Sequence, residues 1–352
     1  MCAIIFRSIG EKGRGVNSLS QESARRLGQV ETGDGQQARL DALHDGDYVT
    51  AVIRRFDPTT DNQPYDETYR VPYSKWMRVL DVLNYVAEDL EQDLAYRWAC
   101  GVKKCGTCAM RVNGREVLAC WEAASPHMLI EPLRHLPIIR DLVVDRGPYE
   151  ERVYQLSPWL HRGTPYSGFP ERLPHREMID AVKATDCVSC MACYSACPVL
   201  DLGDVTQFSG PAPLVQMAQV ALDPRDTLDR GRIANEEAHI FECVSCYRCE
   251  EVCPVSIPIV TGIIEPLKAR AYRSRAGRHQ KAFNEIIAQR GIIDPSLLII
   301  KSQRWRILLQ PVRALKLLLR RKINPTRTLW SRPISMLADV HRLFARFRIS
   351  VF

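Results

Sequence analysis

Thirteen cysteines are placed along this 352-residue chain in a way that dictates most of what it can fold into. One set reads Cys187-Val-Ser-Cys190-Met-Ala-Cys193-Tyr-Ser-Ala-Cys197-Pro198, and a second reads Cys243-Val-Ser-Cys246-Tyr-Arg-Cys249-Glu-Glu-Val-Cys253-Pro254. Each is a complete C-x2-C-x2-C-x3-C-P run, the spacing that holds cubane iron–sulfur clusters. Where two runs share a chain, the fourth Cys of each ligates the other cluster. One [4Fe–4S] cluster is therefore expected to take Cys187, Cys190, Cys193 and Cys253, and the other Cys197, Cys243, Cys246 and Cys249. The x2 spacing lets three thiolates from one turn of loop reach three irons. The x3 step carries the fourth into the following helix, and Pro198 and Pro254 stiffen the chain where it leaves the loop. Crossed ligation forces the two cubanes close together.

A third set has different spacing. Cys100-x4-Cys105-x2-Cys108, followed by Cys120, is the plant-type arrangement for a [2Fe–2S] cluster. Gly101 and Gly106 allow the loop to curl so that backbone N–H groups point at the sulfurs. A four-thiolate zinc site is the rival, but zinc sites usually pair two C-x2-C knuckles. Cys2 is left over and reads as an incidental terminal thiol.

These sets argue against a disulfide framework, which belongs to short secreted chains with paired cysteines. No signal-peptide h-region follows Met1, and no run of about 18 apolar residues occurs, so a reducing, cytosolic compartment is expected. The net charge of +7 conceals an asymmetry. From Lys268 onward the chain carries roughly +17, leaving roughly −10 for residues 1–267. A basic tail of this kind usually meets an anionic surface. No nucleic-acid-binding module or stacking platform accompanies it. The dispersed histidines form no metal pair, and no Walker loop or G-x-G-x-x-G appears.

The chain divides into an N-terminal extension (1–45), a first domain (46–145), a connector (146–175), a helical domain (176–272) and a basic helical tail (273–352). In the first domain, 48–56 and 67–71 read as strands and 77–90 as a helix. Residues 109–112 and 116–119 flank Asn113-Gly114, a type I′ hairpin signal. That element order is the one found in a β-grasp ferredoxin. Helices are expected at 176–184, 213–222, 235–242 and 257–272, with both cysteine runs in loops between them. The fold class is α+β: a β-grasp [2Fe–2S] domain, then an all-α two-cubane domain. Asp145, Glu150 and Glu151 read as solvated charges.

Three cysteine sets in this order resemble the iron–sulfur subunit of succinate dehydrogenase and fumarate reductase. The resemblance covers roughly residues 46–270. It includes Arg54-Arg-Phe-Asp-Pro58, Val79-Leu-Asp-Val-Leu-Asn-Tyr85, Cys105-Gly-Thr-Cys-Ala-Met110, Leu118-Ala-Cys120 and the stretch from Ile130 to Asp145. It implies a relay of electrons between the FAD of a flavoprotein subunit and a quinone or other membrane-side acceptor, with substrate chemistry on the partner. It also implies a position on the cytoplasmic face of the membrane.

The departures are informative. Ordinary members of the family hold a [3Fe–4S] cluster because an apolar residue stands where this chain has Cys246. The full set here implies [4Fe–4S], with [3Fe–4S] as the alternative. Those members place a Ser and a Trp after the first run's Cys-Pro and a His after the next ligand, all contributing to a quinone pocket. This chain has Pro198-Val-Leu-Asp201 and Cys243-Val244. The loop Cys100-Gly-Val-Lys-Lys-Cys105 also lacks the family's usual Arg and Gly.

In these respects the second run is similar to that of archaeal-type complexes and thiol-linked fumarate reductases, whose acceptor subunit is cysteine-rich. The alternative reading is an electron-transfer subunit of another flavin dehydrogenase, of heterodisulfide reductase or glycolate/glycerol-phosphate type. A structural zinc scaffold is the rival from another class. In the tail, 311–322 and 334–348 read as basic amphipathic helices, so 303–352 are expected to contact either a membrane surface or partner subunits.

Overall fold

Strand β1 (Tyr48–Arg55) alternates strictly, with Val49, Ala51 and Ile53 fully buried and the residues between them partly exposed. One face of a sheet is thereby committed to a core. The computed structural model describes residues 44–166, 168–171, 173–274, 278–303 and 333–346. In it β1 pairs antiparallel along its whole length with β2 (Tyr65–Pro72). Helix α1 (Val79–Glu88) buries Val79, Leu80, Val82, Leu83 and Val86 in the same core as β1, and the Asp81 carboxylate accepts the Arg78 N–H at its start. Strands β3 (Ala109–Val112) and β4 (Arg115–Leu118) form the predicted hairpin, with φ of 50° at Asn113 and 80° at Gly114 as a type I′ turn requires.

A strand not anticipated from sequence, β5 (His127–Glu131), enters the middle of the sheet. It pairs parallel with β1 and antiparallel with β3, giving the order β2-β1-β5-β3-β4. Its alternation spans only five residues and is bounded by Pro126 and Pro132, so it carries almost no local signal. A small hairpin, β6 (Ile138–Arg140) with β7 (Val143–Val144), follows.

Asp141, in that hairpin's turn, is the polar anchor of this region. Its carboxylate takes the Arg55 Nε–H at 3.0 Å, the Phe56 N–H at 3.1 Å and the Ala95 N–H at 2.9 Å. Arg55 also donates to Glu67 at 2.8 Å, to the Tyr69 hydroxyl at 2.8 Å and to the Asp93 carbonyl at 2.6 Å. Burial works against the Arg55 charge, but Asp141, Tyr69 and Glu67 more than offset it and raise its pKa.

The described residues that follow carry helices rather than strands: α2 (Gly147–Gln155), α3 (His175–Thr185), α4 (Ala192–Ser195), α5 (Pro211–Ala221), α6 (Arg230–Glu236), α7 (Arg248–Glu251), α8 (Glu265–Arg273), α9 (Arg278–Arg290), α10 (Pro295–Gln303) and α11 (Leu337–Arg346). Four expectations need correction. The stretch 146–175 is not all connector, since α2 opens it with a proline in its first turn. The expected helix 235–242 starts earlier, where Asp229 caps the Arg232 N–H at 2.9 Å, and is broken by His239 at φ 48° before a 3-10 turn at Ile240–Glu242. The cysteine runs are not purely loop, because α4 and α7 lie inside them. Residues 257–272 begin as a π-helical turn (Ile259–Ile264), with α8 following.

Thr227 and Ile264 mark the limits of a first compact unit, which holds the sheet, α2–α5, α7 and the π turn. The second unit comprises Leu228–Phe241 and the chain from Glu265 onward. Within it, a Cβ on Gly231 would lie 2.6 Å from the Arg270 carbonyl oxygen, so α6 and α8 cross with little room for a side chain. Residues 1–43 and the expected helix 311–322 lie outside the described residues. Among the described residues no helix is long and apolar enough to cross a membrane.

Candidate iron–sulfur centres

The loop from Cys100 to Cys108 curls through three residues in the left-handed region: Gly101 (φ 67°), Lys103 (φ 61°) and Gly106 (φ 71°). The curl turns the N–H groups of Val102, Lys104 and Cys105 onto the Cys100 sulfur at 3.4, 3.3 and 3.3 Å. Those backbone donors, Val102 first, lower the Cys100 thiol to about 6. The Thr107 hydroxyl lies 3.0 Å from the Cys105 sulfur. Cys108 precedes β3 and Cys120 follows β4, so the hairpin carries both into the core, 2% and 6% exposed. Burial pushes the Cys108 thiol up to about 12, and the neighbouring Cys120 and Cys105 add to the rise.

The two later runs repeat one backbone plan. Ser189 (φ 50°) and Met191 (φ 64°) in the first correspond to Ser245 (φ 52°) and Tyr247 (φ 66°) in the second. Four left-handed residues without a glycine are costly, and such strain concentrates where a ligand shell has to be shaped. In each run a four-residue helix starts immediately after the second of these residues and carries the third cysteine, Cys193 on α4 and Cys249 on α7.

The thiols interact across the runs. Cys253 acts electrostatically on Cys187, Cys190 and Cys193, while Cys243 and Cys246 act on both Cys197 and Cys249. The second of these groups lines a single apolar cleft together with Pro198, Val199, Phe208 and Val244. Burial pushes Cys190 up to about 11 and Cys249 to about 12, and holds Cys193 well above its ordinary value. Cys246 is exposed, and Val244 beside it is 68% exposed.

Among the described residues no three His, Cys, Asp or Glu side chains close around a point as they would for a single metal ion. The fit to polynuclear centres rests on other grounds: an all-thiol donor set, N–H groups aimed at sulfur, and buried thiols that become thiolates when bound to a cation.

Three contacts of these groups escaped the sequence reading. A Cβ on Gly106 would come within 2.6 Å of the Val188 carbonyl oxygen and 2.9 Å of the Cys190 Cβ, so the Cys105–Cys108 loop lies directly on the first cubane-type loop. Ser195, fully buried between Cys193 and Cys197, donates to Glu116 on β4 at 2.9 Å and accepts the Arg134 N–H at 2.9 Å. Gln216 on α5 donates its amide to the Cys187 sulfur at 3.3 Å. Each joins residues far apart in the chain, and none has a motif of its own. Cys2 lies outside the described residues.

Three thiol groups on a mixed sheet and the helices that follow define the class: an iron–sulfur protein with one domain of the plant-ferredoxin type and one dicluster domain. The chain matches the 2Fe-2S iron-sulfur cluster binding domain over residues 50–151 and the 4Fe-4S dicluster domain over residues 183–257. It is 34% identical over 234 residues to the fumarate reductase iron-sulfur subunit of Haemophilus influenzae, covering 61% of this chain and 90% of that one. It is 33% identical over 249 residues to a subunit of the fumarate reductase (CoM/CoB) of Methanothermobacter marburgensis, covering 69% of this chain and 49% of that one. It thus spans about half the length of that methanogen relative. A chain of the Mycobacterium smegmatis Sdh1 complex in the apo form superimposes with a TM-score of 0.60 at 27% identity, covering 64% of this chain and 95% of that one. The protein belongs to the family of succinate dehydrogenase and fumarate reductase iron–sulfur subunits.

Proposed function

We propose that this chain is the electron-relay subunit of a succinate dehydrogenase or fumarate reductase type complex, working between the FAD of a flavoprotein subunit and a membrane-side acceptor. Cys100, Cys105, Cys108 and Cys120 would hold a [2Fe–2S] cluster on a β-grasp domain. Cys187, Cys190, Cys193 and Cys253 would hold one [4Fe–4S] cluster, and Cys197, Cys243, Cys246 and Cys249 the other, on an all-α domain spanning 176–272. Bound there, the clusters supply one-electron redox stations. The chain ligates them, excludes water by burying Cys108, Cys193 and Cys249, and aims the Val102, Lys104 and Cys105 N–H groups at accumulating negative charge.

The observation that carries this reading is the contact of Gly106 with Val188 and Cys190, which presses the first loop onto the second. Electron transfer between stations requires such proximity, whereas a zinc scaffold does not. We favour a cysteine-rich protein acceptor over the usual quinone pocket because Val199 and Val244, on the cleft shared with Cys197, Cys243, Cys246 and Cys249, offer no side-chain hydrogen-bond donor to a quinone oxygen. The same reading places the complex on the cytoplasmic face of the membrane.

The test is anaerobic purification of the full chain with its flavoprotein, iron analysis, and electron paramagnetic resonance during reduction by succinate. About ten irons per chain, with cluster signals that appear on succinate addition, are expected. A colourless zinc protein, or clusters that stay oxidised with succinate but reduce with dithionite, would overturn the assignment.

A further inference from the structure

Gln216 sits on α5, in the span between the two cysteine runs and 29 residues from Cys187. Its side-chain Nε2 donates to the Cys187 sulfur at 3.3 Å and to the Ser189 hydroxyl oxygen at 3.0 Å. A glutamine has only two amide hydrogens, and both are engaged within the first run's loop. The amide is held in turn from outside. Gln219, one helical turn further along, donates to the Gln216 side-chain carbonyl oxygen at 3.3 Å and to the Ala184 carbonyl at the end of α3 at 3.2 Å. The pair forms a short relay from the last turn of α3 through α5 to the sulfur, with Gln216 half-buried. A glutamine placed merely to solubilise a helix would point its amide at water.

We propose that Gln216 is a potential-setting residue for the cluster bound at Cys187, with Gln219 orienting it. Reduction adds negative charge to a cluster and spreads it onto the ligand sulfurs. An N–H aimed at a sulfur stabilises that charge, and the potentials of such clusters follow the hydrogen bonds their sulfurs accept. Second-sphere donors of this kind tune a centre without ligating it. The Gln216 donor therefore favours the reduced form and makes this station easier to fill.

The inference rests on the reading of Cys187 as a cluster ligand, and the two are tested separately. In the full chain with its flavoprotein, Gln216→Leu should keep the iron content of the unsubstituted protein and move the midpoint potential of one [4Fe–4S] signal to a more negative value. The other two cluster signals should stay in place. Gln219→Leu should move the same signal in the same direction by less, and serves if Gln216→Leu does not accumulate. Gln216→His, which retains a ring N–H donor, should recover part of the shift. An unmoved potential in Gln216→Leu at full iron content would overturn the role of the amide, as would equal shifts of all the signals. If instead Cys187→Ala left both [4Fe–4S] signals intact, the ligand assignment itself would fall, whatever Gln216 does.

Discussion

Gly106 lies against Val188 so closely that a single added carbon would sit 2.6 Å from the Val188 carbonyl oxygen. With φ at 71°, the position is closed to side chains on conformational grounds as well. A residue that reads as loop flexibility in the sequence is therefore also the contact surface between two thiol-bearing loops.

Gly106→Ala should accordingly cost at least about 2 kcal/mol, combining left-handed backbone strain with a clash against backbone. The substitution should also alter the magnetic interaction between the [2Fe–2S] signal and its neighbour. Thermal unfolding and spin-relaxation measurements on the purified complex check both, and Gly101→Ala, where the space around the Cβ is open, should leave the interaction unchanged.

On the proposed ligand sets, Cys246 decides whether the second cluster is a cubane. Cys246→Ala should reduce the iron content from about ten to about nine per chain and produce a [3Fe–4S] resonance in the oxidised protein. Iron analysis with low-temperature resonance of anaerobic samples reads this directly. Unchanged iron would remove Cys246 from the ligand set.

Asp141 holds the turn between β6 and β7 to the end of β1 through Arg55. Asp141→Ala should lower stability by about 3 kcal/mol, because Arg55 keeps Glu67 and Tyr69 but loses its most buried counter-charge. Urea unfolding measures the loss. Cluster potentials should not move, since the network touches none of the candidate ligand sulfurs.

Glu171 predicts an acid dependence. Arg162 grips its carboxylate at 2.5 and 3.1 Å and Arg225 at 2.6 Å, holding it at about 2 against an ordinary value of 4.5. A carboxylate whose folded-state pKa is depressed stabilises the fold fully above its unfolded value, and the contribution is lost as pH falls through the folded one. The stability difference between the protein and Glu171→Gln should thus be constant above about pH 5 and shrink between roughly pH 4.5 and 2. Melting temperatures across that range test it, and a difference that grows on acidification would contradict the assignment.

The cysteine sets, the Asn113-Gly114 hairpin, α1 and the outer strands were legible because each depends on short-range information: reach along the chain, left-handed turn chemistry, and 3.6- or 2-residue periodicity. The central strand β5 was not. Its five residues are bracketed by prolines, and its place is set by pairing with β1 and β3, of which β1 is distant in sequence. The helix ends moved for a similar reason, since caps such as Asp229 and breaks such as His239 depend on conformations that periodicity does not report.

Spacing alone sorted the cysteines into one set of plant-type spacing and two C-x2-C-x2-C-x3-C-P runs, because those patterns lie in short stretches of chain. Only the tertiary structure decided how those sets touch one another and what surrounds the sulfurs. Ser195 meets Glu116 across 79 positions of chain, and Gln216 meets Cys187 across 29. Gly106 meets Val188 across a comparable stretch. Chain folding, not local pattern, brings such partners within bonding distance.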